Sequence, residues 1–243
     1  PVTQLEYARN PWSLPKELNP KNFIDAWNTV DIGTGLINTV IVSLGAILCT
    51  LPPAALAGYV FAKYKSKVTE AVFYLILVGY FVPVQMVLIP LYRMSMGIGL
   101  SDSLPGVFLP MAAFGIPFWA MIYRSFFEGI PAALNEAATI DGAGHSRIFS
   151  SIMLPLAQPA TVLAVILVFI GAWSDYLLSL IMLNKPALFT MQLKIAQFLN
   201  AYGTDRMPRY AAAALISVAP TLILYIAGHK WIIKGTLGGA IKE

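Results

Sequence analysis

Residues 32–62 read IGTGLINTVIVSLGAILCTLPPAALAGYVFA, 31 positions without an Asp, Glu, Lys or Arg. About 20 consecutive apolar residues of helix cross the hydrocarbon core of a bilayer, so this run spans one with a turn or more to spare. It shows no two-residue alternation, which argues against a strand of a membrane barrel. Four more charge-free runs follow: Ala71–Tyr92 (22 residues), Ser103–Tyr123 (21), Ile148–Ser174 (27) and Tyr210–His229 (20). The prediction is an all-α, polytopic membrane helical bundle, one domain over residues 1–243. Its five transmembrane helices fall near 35–60, 70–92, 104–124, 160–183 and 210–230.

Composition agrees. The 243 residues are 58% hydrophobic and 12% charged, with a mean hydropathy of +0.70. A soluble domain carries about 45–50% apolar and about 25% charged residues. This chain lacks the charge to cover a water-facing surface, which excludes a soluble globular enzyme, a disordered chain and a disulfide scaffold. Its 16 Lys and Arg against 12 Asp and Glu are scattered in ones and twos, so no phosphate-tracking patch forms and no nucleic-acid partner is expected. The single cysteine, Cys49, has no partner for a disulfide within the chain. His145 and His229 have no spaced ligand partners, so no metal site is expected. No secretory signal peptide opens the chain.

Prolines punctuate the runs: Pro52, Pro53, Pro83, Pro90, Pro110, Pro117 and Pro220. Each removes a backbone donor and kinks its helix, which a bilayer tolerates only where neighbours re-satisfy the freed carbonyl. Such helices belong in a bundle. Five spans place the two ends on opposite faces. Basic residues should mark the cytoplasmic side, but eight fall on either side and the count does not decide. The dense Lys63-Tyr-Lys-Ser-Lys67 connection is the best inside marker. It puts a loop at 124–159 and a tail at 231–243 inside, with an N-terminal connector at 1–34 and a loop at 184–209 outside. An external N-terminus without a signal is hard to insert, so one more helix is expected before Pro1, making six in the full-length protein. Pro11 to Trp27, with Trp12 and Trp27, reads as a segment on the outer interface, the depth tryptophan favours.

The most informative connection is Ile130-Pro-Ala-Ala-Leu-Asn-Glu-Ala-Ala-Thr-Ile-Asp-Gly-Ala-Gly-His-Ser-Arg-Ile-Phe-Ser-Ser-Ile-Met-Leu-Pro155. Pro131 suits a helix start and the Ala-rich stretch after it favours a short helix. Gly142 and Gly144 permit the turn that ends it, and a second short helix runs from Ser146 toward Pro155. Ala137 and Ala138 offer a small-residue surface to a partner, with Glu136 and Asp141 as charges. Within the spans, Asp175 is the one acidic residue set among apolar runs. An intramembrane ionisable group is costly and marks a candidate site: it either caps helices or borders a solute path. Asn38 and Gln85 can line such a path or hydrogen-bond between helices. Tyr80, Phe81, Trp119 and Trp173 can stack on sugar rings or serve as packing.

Glu136-Ala137-Ala138, three residues, Gly142, nine residues, then Ile152-Met153-Leu154-Pro155 resembles the EAA loop of ABC importer permeases, with no insertion. More of the chain resembles the carbohydrate branch, in particular the maltose-type second permease subunit. Leu36-Ile37-Asn38-Thr39 is similar to its Asn-Ser span start, and Ala57-Gly58-Tyr59-Val60-Phe61-Ala62-Lys63 to its Ala-Tyr-Ala-Phe-Ala-Arg segment. Ile89-Pro90-Leu91-Tyr92 with Gly99-Leu100-Ser101-Asp102-Ser103 fits the next connection. Trp173-Ser174-Asp175-Tyr176 resembles Trp-Asn-Asp-Phe, with Ser in place of Asn, and Gly235 to Lys242 matches the terminal segment. The likeness covers about residues 20 to 243.

The resemblance implies a permease subunit that forms half of a carbohydrate pathway. Its coupling residues would be Glu136, Ala137, Ala138, Asp141, Gly142, Leu154 and Pro155, seated in a cleft of a separate ATPase. The candidate pathway residues, from their chemistry within the spans, are Asn38, Gln85, Trp173 and Asp175. Asn200, Tyr202 and Asp205 would sit at the tip of the outer loop against an extracytoplasmic solute-binding protein. The further partners are a second homologous permease, two ATPase subunits, the sugar and membrane lipid, in a bacterial inner membrane. No cofactor is expected in this chain, which has no Gly-x4-Gly-Lys-Ser/Thr phosphate loop; ATP and magnesium belong to the partner ATPase. Two rival readings are a permease for a non-sugar solute such as glycerol phosphate or a peptide, and an ion-coupled secondary transporter. The latter predicts inverted repeats and several midplane charges.

Overall fold

The computed structural model describes residues 20–202 and 207–240, with side chains for 20–200 and 207–228. Among them every regular element is helical. The longest charge-free run becomes α2 (Ile32–Lys63), preceded by α1 (Lys21–Val30). Asp31 joins the two in the left-handed region, with φ 54°. The main partner of α2 is α5 (Leu104–Glu128), started by Ser103, whose Oγ accepts from the Gly106 amide at 3.2 Å while donating to the Leu100 carbonyl.

These two long helices are the centre of the bundle, and small residues let them touch. Ala54, Ala55 and Ala120 are buried between them. A Cβ built on Gly58 would lie 2.6 Å from Tyr123 Cβ and 2.9 Å from the Ala120 carbonyl oxygen. Such close approach is how membrane helices gain packing without a hydrophobic drive between them. The bundle's outside is apolar: Leu48, Leu75, Phe81 and Ile223 are each more than 60% exposed. A surface of that kind suits lipid and a partner helix, not water.

Two spans differ from the sequence expectation. The run at 70–92 is not one helix but two, α3 (Lys67–Tyr80) and α4 (Val84–Gly97), bent by 96° across Phe81-Val82-Pro83. Pro83 has no amide to donate and sits in an extended conformation with ψ 126°, so the helix cannot run through it. The run at 160–183 likewise stops at Trp173. It consists of α8 (Gln158–Trp173) and the short α9 (Leu177–Met182), separated by Ser174-Asp175-Tyr176. The prolines inside α2, α4, α5 and the last helix, Met207–Ala240, leave their helices continuous. Among the described residues three helices are long and apolar enough to cross a membrane, and up to five spans result if two bent pairs, Lys67–Tyr80 with Val84–Gly97 and His145–Leu156 with Gln158–Trp173, each count once.

The expected outer loop at 184–209 is also mostly folded. A 3-10 turn (Pro186–Leu188) leads to α10 (Met191–Tyr202), whose Met191, Leu193, Ile195 and Phe198 are buried. Asn38 fastens this segment to α2, its Nδ2 donating to the Ala187 carbonyl at 2.9 Å and the Phe189 carbonyl at 3.1 Å. Thr39 Oγ1 accepts from the Met191 amide at 2.8 Å. Lys194, buried on α10, pairs with Asp31, and that hydrogen bond holds the Asp31 carboxyl below the usual carboxylate range. The last helix, α11 (Met207–Ala240), packs along α8 and α1. Part of the N-terminal connector is therefore helix α1, tied by Asp25 to Arg209 at 2.8 Å. Trp27 on α1 is half-exposed, whereas Pro11 to Trp12 lie outside the described residues.

A second clip at the same end joins the α4–α5 connection to the start of the 184–190 segment. Asp102, at φ 54°, accepts with Oδ1 from the Asn184 amide (2.9 Å) and the Lys185 amide (3.0 Å), and Oδ2 pairs with Lys185 Nζ at 3.1 Å. Those amide bonds hold its carboxyl below the ordinary value of 3.8. A lowered carboxyl stabilises the folded form above its unfolded pKa, and the contribution is lost as pH falls through the lowered folded value. Amide exchange at Asn184 and Lys185, corrected for intrinsic rates, should therefore stay slow at neutral pH and accelerate only below about pH 4. Asp102→Ala should exchange fast throughout, and equal protection in the two proteins would refute the clip.

Candidate functional site

The segment between α5 and α8 forms α6 (Ala132–Ile140) and α7 (His145–Leu156), at the end of the bundle where α2 and α5 finish. Gly142 turns the chain between them at φ +76°, with no atom within 4 Å of where a Cβ would stand. Glycine is needed there for conformation, not for space. Gly144 has φ −73° and needs no glycine. The centre of α7, Phe149–Met153, is a π-turn.

One side of the pair is anchored. Ala138, Ile148 and Met153 are buried in the same cluster as Tyr59 and Phe127. Tyr59 of α2, Phe127 of α5 and Phe149 of α7 form a ring trio with centroids 5.4 to 6.4 Å apart. Ala138 thus faces the bundle, and of the expected small-residue surface only Ala137 is presented outward. Leu154 is half-buried and Pro155 exposed, close to the 74° bend that joins α7 to α8.

The other side is free. Glu136, Asp141 and Gly142 are exposed, and Ile140 beside them is 86% exposed. Leu134 is 44% exposed. These apolar positions do not stand out in the sequence, because an Ile in an Ala-rich helix reads as core. Beneath the pair lies a recess of about 280 Å³ lined by Lys63, Glu128 and Glu136. Tyr59 Oη and Asn135 Oδ1 also belong to it, both buried without a hydrogen-bond partner among the described residues. Buried polar groups are rarely left so.

Sequence reasoning missed the brace behind this loop. Arg124 of α5 donates to Glu70 Oε1 and Oε2 of α3 at 2.6 and 3.1 Å and to Glu128 Oε1 at 3.2 Å. Its guanidinium lies 4.2 Å over the Phe73 ring, and Lys65 reaches Glu128 at 3.6 Å. A pairing 54 positions apart leaves no local signal.

The four expected pathway residues divide. Gln85 and Asp175 line a half-open cavity of about 340 Å³ between α2, α4, α5, α8 and α9, with Thr50, Phe114 and Trp119. Asp175 also starts α9, its Oδ2 accepting from the Ser179 amide and hydroxyl at 2.9 Å each. Asn38 is committed to the carbonyls of Ala187 and Phe189. Trp173, 2% exposed, donates from Nε1 to the Ser217 carbonyl of α11 and stacks on Phe169. Neither belongs to the cavity wall. Of the outer-tip residues, Asn200 is exposed near the end of α10, whereas the Tyr202 side chain and Asp205 lie outside the described residues. So do the side chains of the terminal segment from Gly235.

Residues 54–236 match the family of binding-protein-dependent transport system inner membrane components. The chain belongs to that family. Its match thus runs from the α2–α5 contact through the loop and cavity to α11. This permease component is similar to the diacetylchitobiose uptake system permease protein NgcG of Streptomyces coelicolor, at 31% identity over 98% of this chain and 79% of that one. It is also similar to the melibiose/raffinose/stachyose import permease protein MelC of Bacillus subtilis, at 32% identity over 95% and 84%. Among solved structures, a bacterial ABC transporter that imports the acidic polysaccharide alginate superposes with a TM-score of 0.78. That match has 22% identity and covers 89% of this chain and 81% of that one, showing the shared fold.

Proposed function

We propose that the chain is the permease subunit of an ATP-driven ABC importer for a carbohydrate. It lies in a bacterial inner membrane beside a second homologous permease, with two ATPases on one side and a solute-binding protein on the other. One observation supports this most: α6 and α7 are fixed to the bundle by Ala138, Ile148, Met153 and the Tyr59–Phe127–Phe149 rings, while Glu136, Ile140 and Asp141 stand free. An apolar side chain left 86% exposed between charges is what a docking partner covers. Movement of an ATPase would pass through α6 and α7 into α2, α5 and α8. ATP and magnesium are bound by that partner, and this chain supplies no hydrolytic group. The names of the similar permeases favour a sugar over glycerol phosphate or a peptide.

The test uses the complete complex in proteoliposomes. Glu136→Lys reverses the free charge, and Gly142→Pro forces φ away from +76° while removing the amide that donates to the Thr139 carbonyl. Both variants should insert normally. ATPase stimulation by the loaded binding protein should fall at least about tenfold in each, as for loss of an interface anchor. Unaltered stimulation in both would refute the coupling role.

A further inference from the structure

Two unrelated breaks in the helices meet at one place. The α3–α4 break is followed by Gln85 and the α8–α9 gap contains Asp175, and both residues line the 340 Å³ cavity. Thr50 and Trp119 reach it from positions near the middle of α2 and α5. Unwound backbone at membrane depth persists only where protein or water satisfies it, and transporters build midplane sites from discontinuous helices. The cavity's size is within the range of small-molecule sites.

Its chemistry is specific. Phe114 and Trp119 supply flat apolar rings, while Gln85 and Thr50 supply an amide and a hydroxyl. Asp175 Oδ2 is used by Ser179, but Oδ1 receives only the Leu178 amide at 3.4 Å. No Lys or Arg lines the cavity, and Asp175 forms no ion pair among the described residues. A lone carboxylate in a mostly apolar wall projects its charge strongly.

We propose that this cavity is a saccharide subsite belonging to this chain, which accepts uncharged or cationic sugars and rejects acidic ones. It rests on the carbohydrate reading above and narrows it. The fold is shared with an importer of an acidic polysaccharide, but the cargo's charge is not. Rings offer stacking to the apolar face of a sugar, and the amide, hydroxyl and carboxylate meet its hydroxyls. A uronate or phosphate would face Asp175 with no compensating cation.

Gly171 gives a test of the cavity's charge and of its preference for neutral sugars. It lines the cavity, and a Cβ there would meet no atom within 4 Å. In the assembled transporter carrying Cys49→Ala and Gly171→Cys, methanethiosulfonates with trimethylammonium or sulfonate heads are compared, each rate normalised to free cysteine. The cationic reagent should react at least about fivefold faster, and adding Asp175→Asn should reduce the difference below about twofold. Millimolar raffinose or diacetylchitobiose should slow labelling, and an alginate trisaccharide should not. The proposal is overturned by no labelling (a lipid-filled cavity), by equal rates, by protection from the acidic saccharide, or by no protection from either neutral one. Failure of the unmodified complex to couple ATP hydrolysis to a loaded binding protein would instead remove the importer reading, which labelling does not measure.

Discussion

Gly58→Val should lower the stability of the bundle more than any other single substitution considered. The substitution places carbon within 2.6 Å of Tyr123 Cβ and 2.9 Å of both the Ala120 carbonyl oxygen and the Arg124 amide nitrogen. Two of those atoms are backbone of α5, so no rotamer change makes room and the helices must part. Overpacking in a filled core costs about 1–3 kcal/mol and occasionally more; with backbone as the obstacle, about 3 kcal/mol or more is expected here. Separation would also expose Ala54, Ala55 and Ala120, which pack only at short range. Gly79→Ala is the control, because nothing stands within 4 Å of a Cβ there and α3 gains helix propensity. Thermal unfolding of the purified complex decides: a Gly58→Val midpoint within about 2 °C of the parent would refute the close contact.

Arg124→Met should be the next most damaging change. Arg124, with a side chain 14% exposed, satisfies two carboxylates and covers the Phe73 ring. Removing it leaves Glu70 without its partner and Glu128 with only Lys65. Breaking a fully buried pair costs about 3–5 kcal/mol, but these glutamates are 32% and 31% exposed, and water lowers the figure to about 2 kcal/mol. Arg124→Lys should fall between, since an ammonium cannot grip Glu70 with two parallel bonds. Arg124→Met with Glu70→Met should recover part of the loss, because an unpaired carboxylate is worse than none. A double variant as unstable as the sum of the singles would show that the pair has no mutual energy.

Much of the architecture was legible because lipid punishes charge, so Asp, Glu, Lys and Arg mark where helices leave the bilayer. That rule located the material of all five spans. It could not show direction: the run 71–92 is uniformly apolar, yet the chain turns by 96° inside it. Nor does proline decide, since Pro52, Pro53, Pro90, Pro110 and Pro117 sit inside continuous helices while Pro83 begins a new one. Whether neighbours re-satisfy the freed carbonyl is a tertiary fact. The segment 184–209 misled differently. Its polarity made it read as an outer loop, but Asp31, 163 residues before Lys194, lets α10 bury that lysine.

The turn between α6 and α7 was legible, because Gly142 has a local conformational reason to be glycine. The lining of the cavity was legible only in part. Gln85 and Asp175 stand out as polar residues in apolar surroundings, but Asn38 stands out equally and is spent on backbone carbonyls of another segment. Trp119 and Trp173 are alike in sequence context, and only packing separates the one on the cavity from the one against α11.

The wide turn at Phe149–Met153 holds one residue more than an ordinary helical turn would over the same stretch, closing on the Leu154 amide and the Phe149 carbonyl. Rewinding it to the tighter spacing would advance everything beyond by one position, about 100° of rotation and about 1.5 Å along the axis. A short pull on the free loop would thereby become a twist delivered to Leu154, Pro155 and the start of α8, with no hydrogen bond permanently lost. In the importer proposed above, that inserted residue would serve as slack in a cable, wound in when the loop is drawn and paid out when it is released.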